Sequence, residues 1–263
     1  MAFWYFGYGS NMDIGSLRAK GVAPRASERA VLRRWRLRFN VQHFFRHEGG
    51  VGNIERSNNA TDAVWGVLHE FDDEALGHLD AAEACGHGYD RVELPVLTDH
   101  SERRAHTYVG APSFLDDACL PTQRYLNILL RGATAAGLDP AYVDALRRHP
   151  THQRRVVPQF APPAGDHQTF TAATLTRDPP LTALAGNVFD MSRARWRHRP
   201  LCGLFGGKDM TLFHLQRLDS STGDETLADV KHDRLDPAQR QYLNEYLHEY
   251  LTEYAYVGRY IYE

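Results

Sequence analysis

Apolar residues occur in short runs separated by polar and glycine-containing segments, a pattern typical of mixed strands and helices. Phe3 to Tyr8 is an aromatic run that ends at Gly9-Ser10-Asn11, which predicts a buried strand followed by a tight turn. Further strand-like runs in the first part of the chain are Arg36–Val41, Ala63–Phe71, Arg91–Leu97 and Ala105–Val109. Helical spacing is present at Asp73–Ala82 and Leu120–Ala136. The pattern predicts a mixed α and β unit.

A proline-rich segment separates this unit from a second one. Residues 158–167, PQFAPPAGDH, contain three prolines and a glycine without any periodicity, which predicts a linker of limited flexibility. The predicted domains are therefore residues 1–157 and 168–263. The second domain has strand-like runs at Phe170–Leu175 and Gly186–Asp190, with a glycine-rich stretch at Gly203–Gly207.

The clearest local pattern predicts a long helix near residue 240. Asp236 stands at the N-cap, Pro237 is the first helical residue and Gln239 completes a capping box. Gly258 follows the predicted end. One face of this helix carries Leu243, Leu247, Tyr250 and Tyr254.

Composition excludes several classes of protein. The chain has 263 residues, of which 43% are hydrophobic and 24% charged, with a formal net charge of -3, which is typical of a folded globular protein. This charge argues against a general nucleic-acid binder, which needs a basic face. No apolar run approaches the roughly 18 residues of a membrane helix, so we expect no membrane span and a cytoplasmic location. The oligomeric state is left open.

The cysteines and histidines do not indicate a metal site. Cys85, Cys119 and Cys202 are widely spaced and form no CxxC pair, so neither a disulfide framework nor a zinc ribbon is predicted. His43 and His47 have a spacing of four residues but lack the glutamate of HExxH. We therefore interpret these histidines as surface or packing residues.

Two segments carry candidate chemistry. In Tyr8-Gly9-Ser10-Asn11 the glycine lets the backbone approach a ligand, and successive turn N–H groups can bind a carboxylate or an oxyanion. Glu83 follows a predicted helix and precedes a glycine-rich bend and Tyr89, where a partly desolvated carboxylate can act as a general base. Taken singly, each has a simpler interpretation, an Asn-stabilised turn and a solvated glutamate at a helix end.

Taken together, these segments resemble the γ-glutamylcyclotransferases. The resemblance covers about residues 3–150, with its parts in the order and spacing of the family. It is carried by FGYGSN at 6–11, GGVGNI at 49–54, WGVLHEF at 65–71, LDAAEACGHGYDRVELPV at 79–96, TYVG at 107–110 and YLNILLRGATAAGLDPAYVDAL at 125–146. It implies an α+β fold, a small mixed β-barrel with helices and a cavity.

The resemblance also implies a reaction and a set of site residues. The α-amine of a small γ-glutamyl peptide or amine attacks the γ-carbonyl, which forms 5-oxoproline and releases the amine without a metal or cofactor. Glu83 is the implied general acid/base. The implied substrate-binding residues are Tyr8, Gly9, Ser10 and Asn11, with Asn53, Tyr89 and Arg91 as further candidates.

The second domain resembles the cytochrome b5-like domain of the membrane-associated progesterone receptor type over about residues 168–261. The similar segments are LTALAGNVFDMS at 181–192, LFGGKDMTLF at 204–213 and LDPAQRQYLNEYLHEYLTEYAYVGRYI at 235–261. This resemblance implies an α+β fold and raises haem or sterol binding. Pro200-Leu201-Cys202-Gly203 occupies the place of the tyrosine ligand, and only His198 and Cys202 could substitute. We therefore favour a structural or substrate-covering role over haem binding.

Two other functions remain compatible with the sequence. One is a non-catalytic small-molecule or haem-binding protein built on the same two domains. The other is an amide hydrolase or acyltransferase on the cyclotransferase scaffold. Release of 5-oxoproline separates the cyclotransferase from both alternatives, whereas nothing in the sequence identifies the leaving amine.

Overall fold

The computed structural model describes residues 2–178 and 180–262, so Met1, Pro179 and Glu263 lie outside the described residues. The chain forms two compact units. The first comprises the residues up to His43 together with Glu48–Arg154, and the second comprises Phe44–His47 together with the chain from Arg155 onward.

The first unit is built around a small closed β-barrel, which confirms the barrel that the resemblance implied. The strand order is β1-β5-β2-β6-β7, and β1 closes the barrel by pairing in parallel with β7 at Tyr5 and His106. A separate two-stranded sheet pairs β3 with β4. The strands are β1 Ala2–Gly7, β2 Ala26–Arg33, β3 Trp35–Gln42, β4 Gly50–Arg56, β5 Ala63–Asp72, β6 Tyr89–Thr98 and β7 Glu102–Gly110.

Helices of this unit pack beside the barrel and have recognisable caps. The helices are α1 Ile14–Arg18, α2 Ala75–Ala82, α3 Gln123–Ala135 and α4 Pro140–Arg147. The Asp13 side chain caps α1 by accepting a hydrogen bond from Ser16 N, and Thr122 caps α3 at Tyr125 N. A Cβ atom at Gly132 would stand 2.6 Å from the Met12 backbone, so only glycine lets α3 pack this closely.

The second unit is also α+β. Its sheet has the order β8-β11-β10-β9. The strands are β8 Gln168–Phe170, β9 Leu181–Leu184, β10 Asn187–Asp190 and β11 Ala255–Tyr260. The helices are α5 Ala172–Arg177, α6 Arg199–Phe205, α7 Thr211–Leu215, α8 Leu227–Lys231 and α9 Pro237–Glu253. Phe45 and Phe160 pack into its core with residues of α6 and α9, so the proline-rich segment contributes a side chain to this core.

The predicted helix at Asp236 is confirmed at its start and wrong at its end. Asp236, Pro237 and Gln239 form the predicted cap. The helix ends at Glu253, and Gly258 lies in β11 instead of stopping the helix. A Cβ atom at position 258 would stand 2.2 Å from the Gln168 carbonyl oxygen, so this glycine permits close strand pairing.

One strand prediction was wrong, and four strands were missed. Phe170–Leu175 was predicted as a strand, but β8 ends at Phe170 and α5 begins after Thr171, whose side chain forms a capping box with Thr174. The strands β2, β4, β9 and β11 were not predicted. In β2 the charged side chains point outward while Ala30 and Leu32 are buried in the barrel, so charge masked the alternation. In β4 glycines at positions 50 and 52 weaken the pattern.

Candidate active site

A cleft in the first unit gathers side chains from six segments of the chain. It holds about 280 Å³ of empty volume, including solvent at its mouth. Its lining residues are Tyr5, Tyr8, Gly9, Ser10, Asn11, Gly52, Glu83, Tyr89, Tyr108 and Tyr125. The structure therefore brings the predicted YGSN turn, Glu83 and Tyr89 to one place.

The turn after β1 is held close to the cleft floor. Ser10–Met12 forms a short 3₁₀ turn, and Met12 N donates to the Gly9 carbonyl at 3.0 Å. A Cβ atom at Gly9 would stand 2.8 Å from the Tyr125 hydroxyl oxygen, which explains why the smallest residue occupies this position.

The His69 side chain holds this turn through the backbone of Asn11. Its Nε2 lies 2.9 Å from the Asn11 carbonyl oxygen, and its Nδ1 lies 2.7 Å from Ser27 Oγ. Burial lowers the pKa of His69 to about 4, so the ring is neutral at physiological pH. The neutral ring then donates from Nε2 to Asn11 and accepts at Nδ1 from Ser27.

Glu83 stands at the C-terminal end of α2, where its N–H donates to the Leu79 carbonyl at 2.9 Å. Its Oε1 atom accepts hydrogen bonds from Lys20 Nζ at 2.6 Å and Asn11 Nδ2 at 3.1 Å. The side chains of Lys20 and Glu83 are only 11% and 14% exposed. The cation offsets the cost of burying the carboxylate, so Glu83 can be held as a base at the cleft.

Tyrosine hydroxyl groups surround this carboxylate with defined hydrogen-bond directions. The hydroxyl of Tyr5 accepts from Asn11 Nδ2 at 2.5 Å, and that of Tyr125 accepts from Gly52 N at 3.0 Å. A hydroxyl that accepts in this way keeps its own proton for another partner. Tyr8 and Tyr89 instead donate to the backbone carbonyls of Tyr108 and Gly52 at 2.6 and 2.8 Å, so their lone pairs are left for a ligand.

These phenols stay protonated over the physiological range. Burial raises the pKa of Tyr125 to about 12, although hydrogen bonds from the backbone of Gly52 and Ser10 oppose the shift. Burial, with the nearby Glu83 charge, raises the pKa values of Tyr5, Tyr8 and Tyr89 well above their ordinary value. The cleft can therefore donate phenolic protons and accept at phenolic oxygens, and Glu83 supplies the carboxyl group among the lining residues.

Two predicted substrate-binding residues do not line the cleft. Asn53 is buried, and its side chain binds Asn40 Oδ1, Ile54 N and Gly110 N, so it joins neighbouring strands. Arg91 pairs with Asp80 at 2.5 Å, and Asp80 accepts from the Tyr108 hydroxyl at 2.7 Å. Arg91 is thus linked to the lining residue Tyr108 through Asp80.

Several cleft residues were not predicted. They are Lys20 behind Glu83 and the lining residues Tyr5, Gly52, Tyr108 and Tyr125. Lys20 directly precedes Gly21 at the end of α1, where a basic residue is usually solvated. The segments GGVGNI and TYVG, which carry part of the family resemblance, contain Gly52 and Tyr108 and were the available signal for those two residues.

Part of the chain is similar in sequence to known proteins. Residues 63–146 match the AIG2-like family. Over 139 residues the chain is 28% identical to γ-glutamyl cyclotransferase gliK of Claviceps purpurea, a match that spans 50% of this chain and 63% of that protein. The chain therefore spans less than two thirds of the length of this relative.

Solved structures support the fold. A γ-glutamyl cyclotransferase superposes with a TM-score of 0.51 and 23% identity, covering 58% of this chain and 90% of its own. An uncharacterised protein from Homo sapiens gives a TM-score of 0.51 and 24% identity, covering 59% of this chain and 92% of its own. These likenesses show that the chain contains the fold of the γ-glutamyl cyclotransferases, with its small closed β-barrel.

The second unit has no support from these comparisons for a cytochrome b5-like assignment, which stays a prediction. His198 does not present a haem ligand, because its Nδ1 lies 2.9 Å from the Tyr254 hydroxyl and its Nε2 lies 2.7 Å from the Phe44 carbonyl oxygen. Within residues 2–178 and 180–262, no cluster of His, Cys, Asp and Glu is arranged to hold a metal. In the same ranges no helix has the length and apolar character to cross a bilayer.

Proposed function

We propose that this protein is a γ-glutamylcyclotransferase that converts a small γ-glutamyl peptide or amine to 5-oxoproline and a free amine. The observation that carries the proposal is the Glu83 carboxylate at the cleft, held by Lys20 and Asn11 beside the YGSN turn. The region that matches the AIG2-like family, residues 63–146, includes Glu83 and supports this proposal.

The substrate contains its own nucleophile, so the protein has to position it and move protons. We assign Tyr8 to Asn11 to the glutamyl end of the substrate. Glu83 takes a proton from the α-ammonium group, and the resulting amine attacks the γ-carbonyl carbon to close a five-membered ring. The electron pair of the carbonyl moves to oxygen, where the hydroxyl protons of Tyr5 and Tyr125 are suited to stabilise the oxyanion.

Collapse of this tetrahedral intermediate completes the reaction. The carbonyl re-forms, the bond to the leaving nitrogen breaks, and the protonated Glu83 supplies that nitrogen with a proton. A second proton passes from the ring nitrogen to the leaving amine by the same shuttle. The α-ammonium loses two protons and the amine gains two, so Glu83 ends the cycle in the ionised form in which it began.

The direct test is incubation of the 263-residue protein with a panel of γ-glutamyl peptides and γ-glutamyl amines, followed by mass-spectrometric detection of 5-oxoproline. We expect 5-oxoproline and the free amine in equal amounts for at least one member of the panel. Release of glutamate instead would support the amide hydrolase alternative. Failure of every substrate to yield 5-oxoproline would contradict the proposal.

A further inference from the structure

Lys20 forms an ion pair at the cleft that the reaction outlined above does not use. Its Nζ lies 2.6 Å from Glu83 Oε1 and 2.6 Å from Asn11 Oδ1. Asn11 Nδ2 also donates to Glu83 Oε1 at 3.1 Å, so the three side chains form a closed triangle. The ammonium group is therefore bound to the carboxylate and to the residue that orients it.

The triangle is asymmetric with respect to the carboxylate. Both hydrogen bonds to the Glu83 side chain end on Oε1. Glu83 and Asn11 line the cleft, whereas Lys20 is not among the lining residues. Lys20 thus lies behind the carboxylate, and Oε2 is the oxygen left to exchange protons with a ligand.

The local fold explains how Lys20 reaches this position. Asp13 caps α1 and accepts two hydrogen bonds from Arg131, at 2.7 and 2.8 Å, which tie α1 to α3. The helix ends at Arg18, and Gly21, with a φ of +79°, turns the chain away directly after Lys20. The lysine that contacts Glu83 therefore stands in the turn directly after this short, capped helix.

The other titratable groups around Glu83 do not replace this cation. The phenols that face it are Tyr5, Tyr8, Tyr89, Tyr108 and Tyr125, all with raised pKa values. On the same helix as Glu83, Asp80 is bound to Arg91 and to the Tyr108 hydroxyl. Burial raises the pKa of the Cys85 thiol, and the neutral His69 contacts the Asn11 backbone.

We propose that Lys20 is a positioning residue for the acid/base Glu83: it anchors Oε1, directs Oε2 into the cleft and holds the carboxylate ready to accept a proton. Its positive charge also makes the protonated carboxyl a better donor to the leaving nitrogen, so one contact serves both proton transfers. This inference rests on the proposed function and adds a residue to it.

The kinetic test compares Lys20→Met with Arg18→Met. Arg18 is the exposed last residue of α1, two positions before Lys20, so its replacement removes the same charge away from the cleft. We expect Lys20→Met to lower kcat by at least about tenfold at neutral pH, with little change in KM, and the deficit to grow as pH falls. Arg18→Met should behave like the unmodified protein, and Lys20→Arg should restore much of the activity. A deficit that is equal at every pH, or that Arg18→Met shares, would overturn the proposal.

A second measurement does not depend on turnover. The Glu83 carboxyl resonance of 13C-glutamate-labelled protein is identified by its absence from Glu83→Gln, and its titration is followed in each variant. We expect the carboxyl to titrate at higher pH in Lys20→Met than in the unmodified protein, and unchanged in Arg18→Met. An unshifted titration would overturn the role of Lys20 even if 5-oxoproline is formed. Absence of 5-oxoproline with a shifted titration would contradict the proposed function alone.

Discussion

Both units of this protein contain clusters of tyrosine and histidine, but the clusters are built differently. In the second unit the Tyr250 hydroxyl pairs with His214 Nε2 at 2.9 Å, and the Tyr250 ring stacks on Phe45 with centroids 5.2 Å apart. Tyr250 is completely buried. In the first unit the tyrosines surround the Glu83 side chain at a cleft, and their hydroxyl groups still have protons or lone pairs for a ligand.

The difference shows what makes an aromatic cluster a candidate active site: it must surround an ionisable side chain that solvent or a ligand can reach. The His214 and Tyr250 pair satisfies two buried polar atoms within a packed core, which stabilises the fold. The Lys20 and Glu83 pair keeps a carboxylate partly buried yet accessible. We interpret the first arrangement as structural and the second as chemical, and four changes test this distinction.

The largest effect is expected for Glu83→Gln. Glutamine keeps the shape of the side chain but cannot take up and return a proton, so turnover should fall by about 10²- to 10⁴-fold. Rates of 5-oxoproline release and the thermal midpoint are measured on the same preparation. Glu74→Gln, at an exposed glutamate before the same helix, is the matched control and should leave the rate unchanged. Near-normal turnover in folded Glu83→Gln would remove this residue from its assigned role.

His69→Gln is expected to change how stability depends on pH. The pKa of His69 is lowered by burial from about 6.5 to about 4. The unfolded chain therefore takes up a proton below about pH 6.5 that the folded chain refuses until about pH 4. Neutral His69 therefore contributes to the free energy of unfolding fully above about pH 6.5. This contribution, up to about 3 kcal/mol, is lost as the pH falls from about 6.5 to about 4.

Denaturant unfolding between pH 4 and 7 measures this contribution. The glutamine variant, whose amide can still donate to Asn11, should show a flatter profile than the unmodified protein. His100→Gln, at an exposed turn, is the control and should keep the original slope. If the free energy of unfolding depends on pH in the same way in His69→Gln and in the unmodified protein, the His69 ring is not held neutral by burial.

Tyr250→Phe tests the structural side of the comparison. The change removes the hydroxyl that pairs with His214 Nε2 while keeping the ring that stacks on Phe45. Loss of this buried bond should lower the free energy of unfolding of the second unit by about 1–3 kcal/mol. Chemical denaturation of the full chain reports the loss, with Tyr260→Phe on the half-buried strand β11 for reference. A variant as stable as the unmodified protein would show that the pair is not a stabilising contact.

The smallest predicted effect is on ligand affinity in Gly9→Val. A Cβ atom at Gly9 would stand 2.8 Å from the Tyr125 hydroxyl, so the branched side chain should distort the turn and displace the ligand. Affinity for a non-reactive γ-glutamyl analogue should fall by about tenfold, or ~1.4 kcal/mol, with a modest change in melting temperature. Gly77→Val is the control, because a Cβ atom there meets nothing within 4 Å. If Gly9→Val binds the analogue as tightly as the unmodified protein does, the turn at Gly9 does not bind the glutamyl end of the substrate.

Sequence alone identified much of the fold and part of the candidate site. The strand that begins the barrel, the turn at Gly9 and the cap at Asp236 depend on residues within a few positions of one another, so local patterns reveal them. Glu83 and Tyr89 were named through motifs that resemble a family, and both line the cleft. The same reasoning misplaced Asn53 and Arg91, because whether a polar side chain faces a cleft or a neighbouring strand depends on burial.

What the tertiary structure decided is which distant residues meet. Lys20 and Glu83 are 63 positions apart, and Tyr125 and Gly52 are 73 apart, so no local periodicity links either pair. Closure of the barrel and the packing of α1 and α3 beside it bring them within hydrogen-bond distance. Once together, burial determines that the phenols stay protonated and that the lysine compensates the carboxylate, because the energies of charges and hydrogen bonds depend on the surrounding solvent. The sequence determined the residue types available for this chemistry, and only the fold decided which of them share one desolvated cleft.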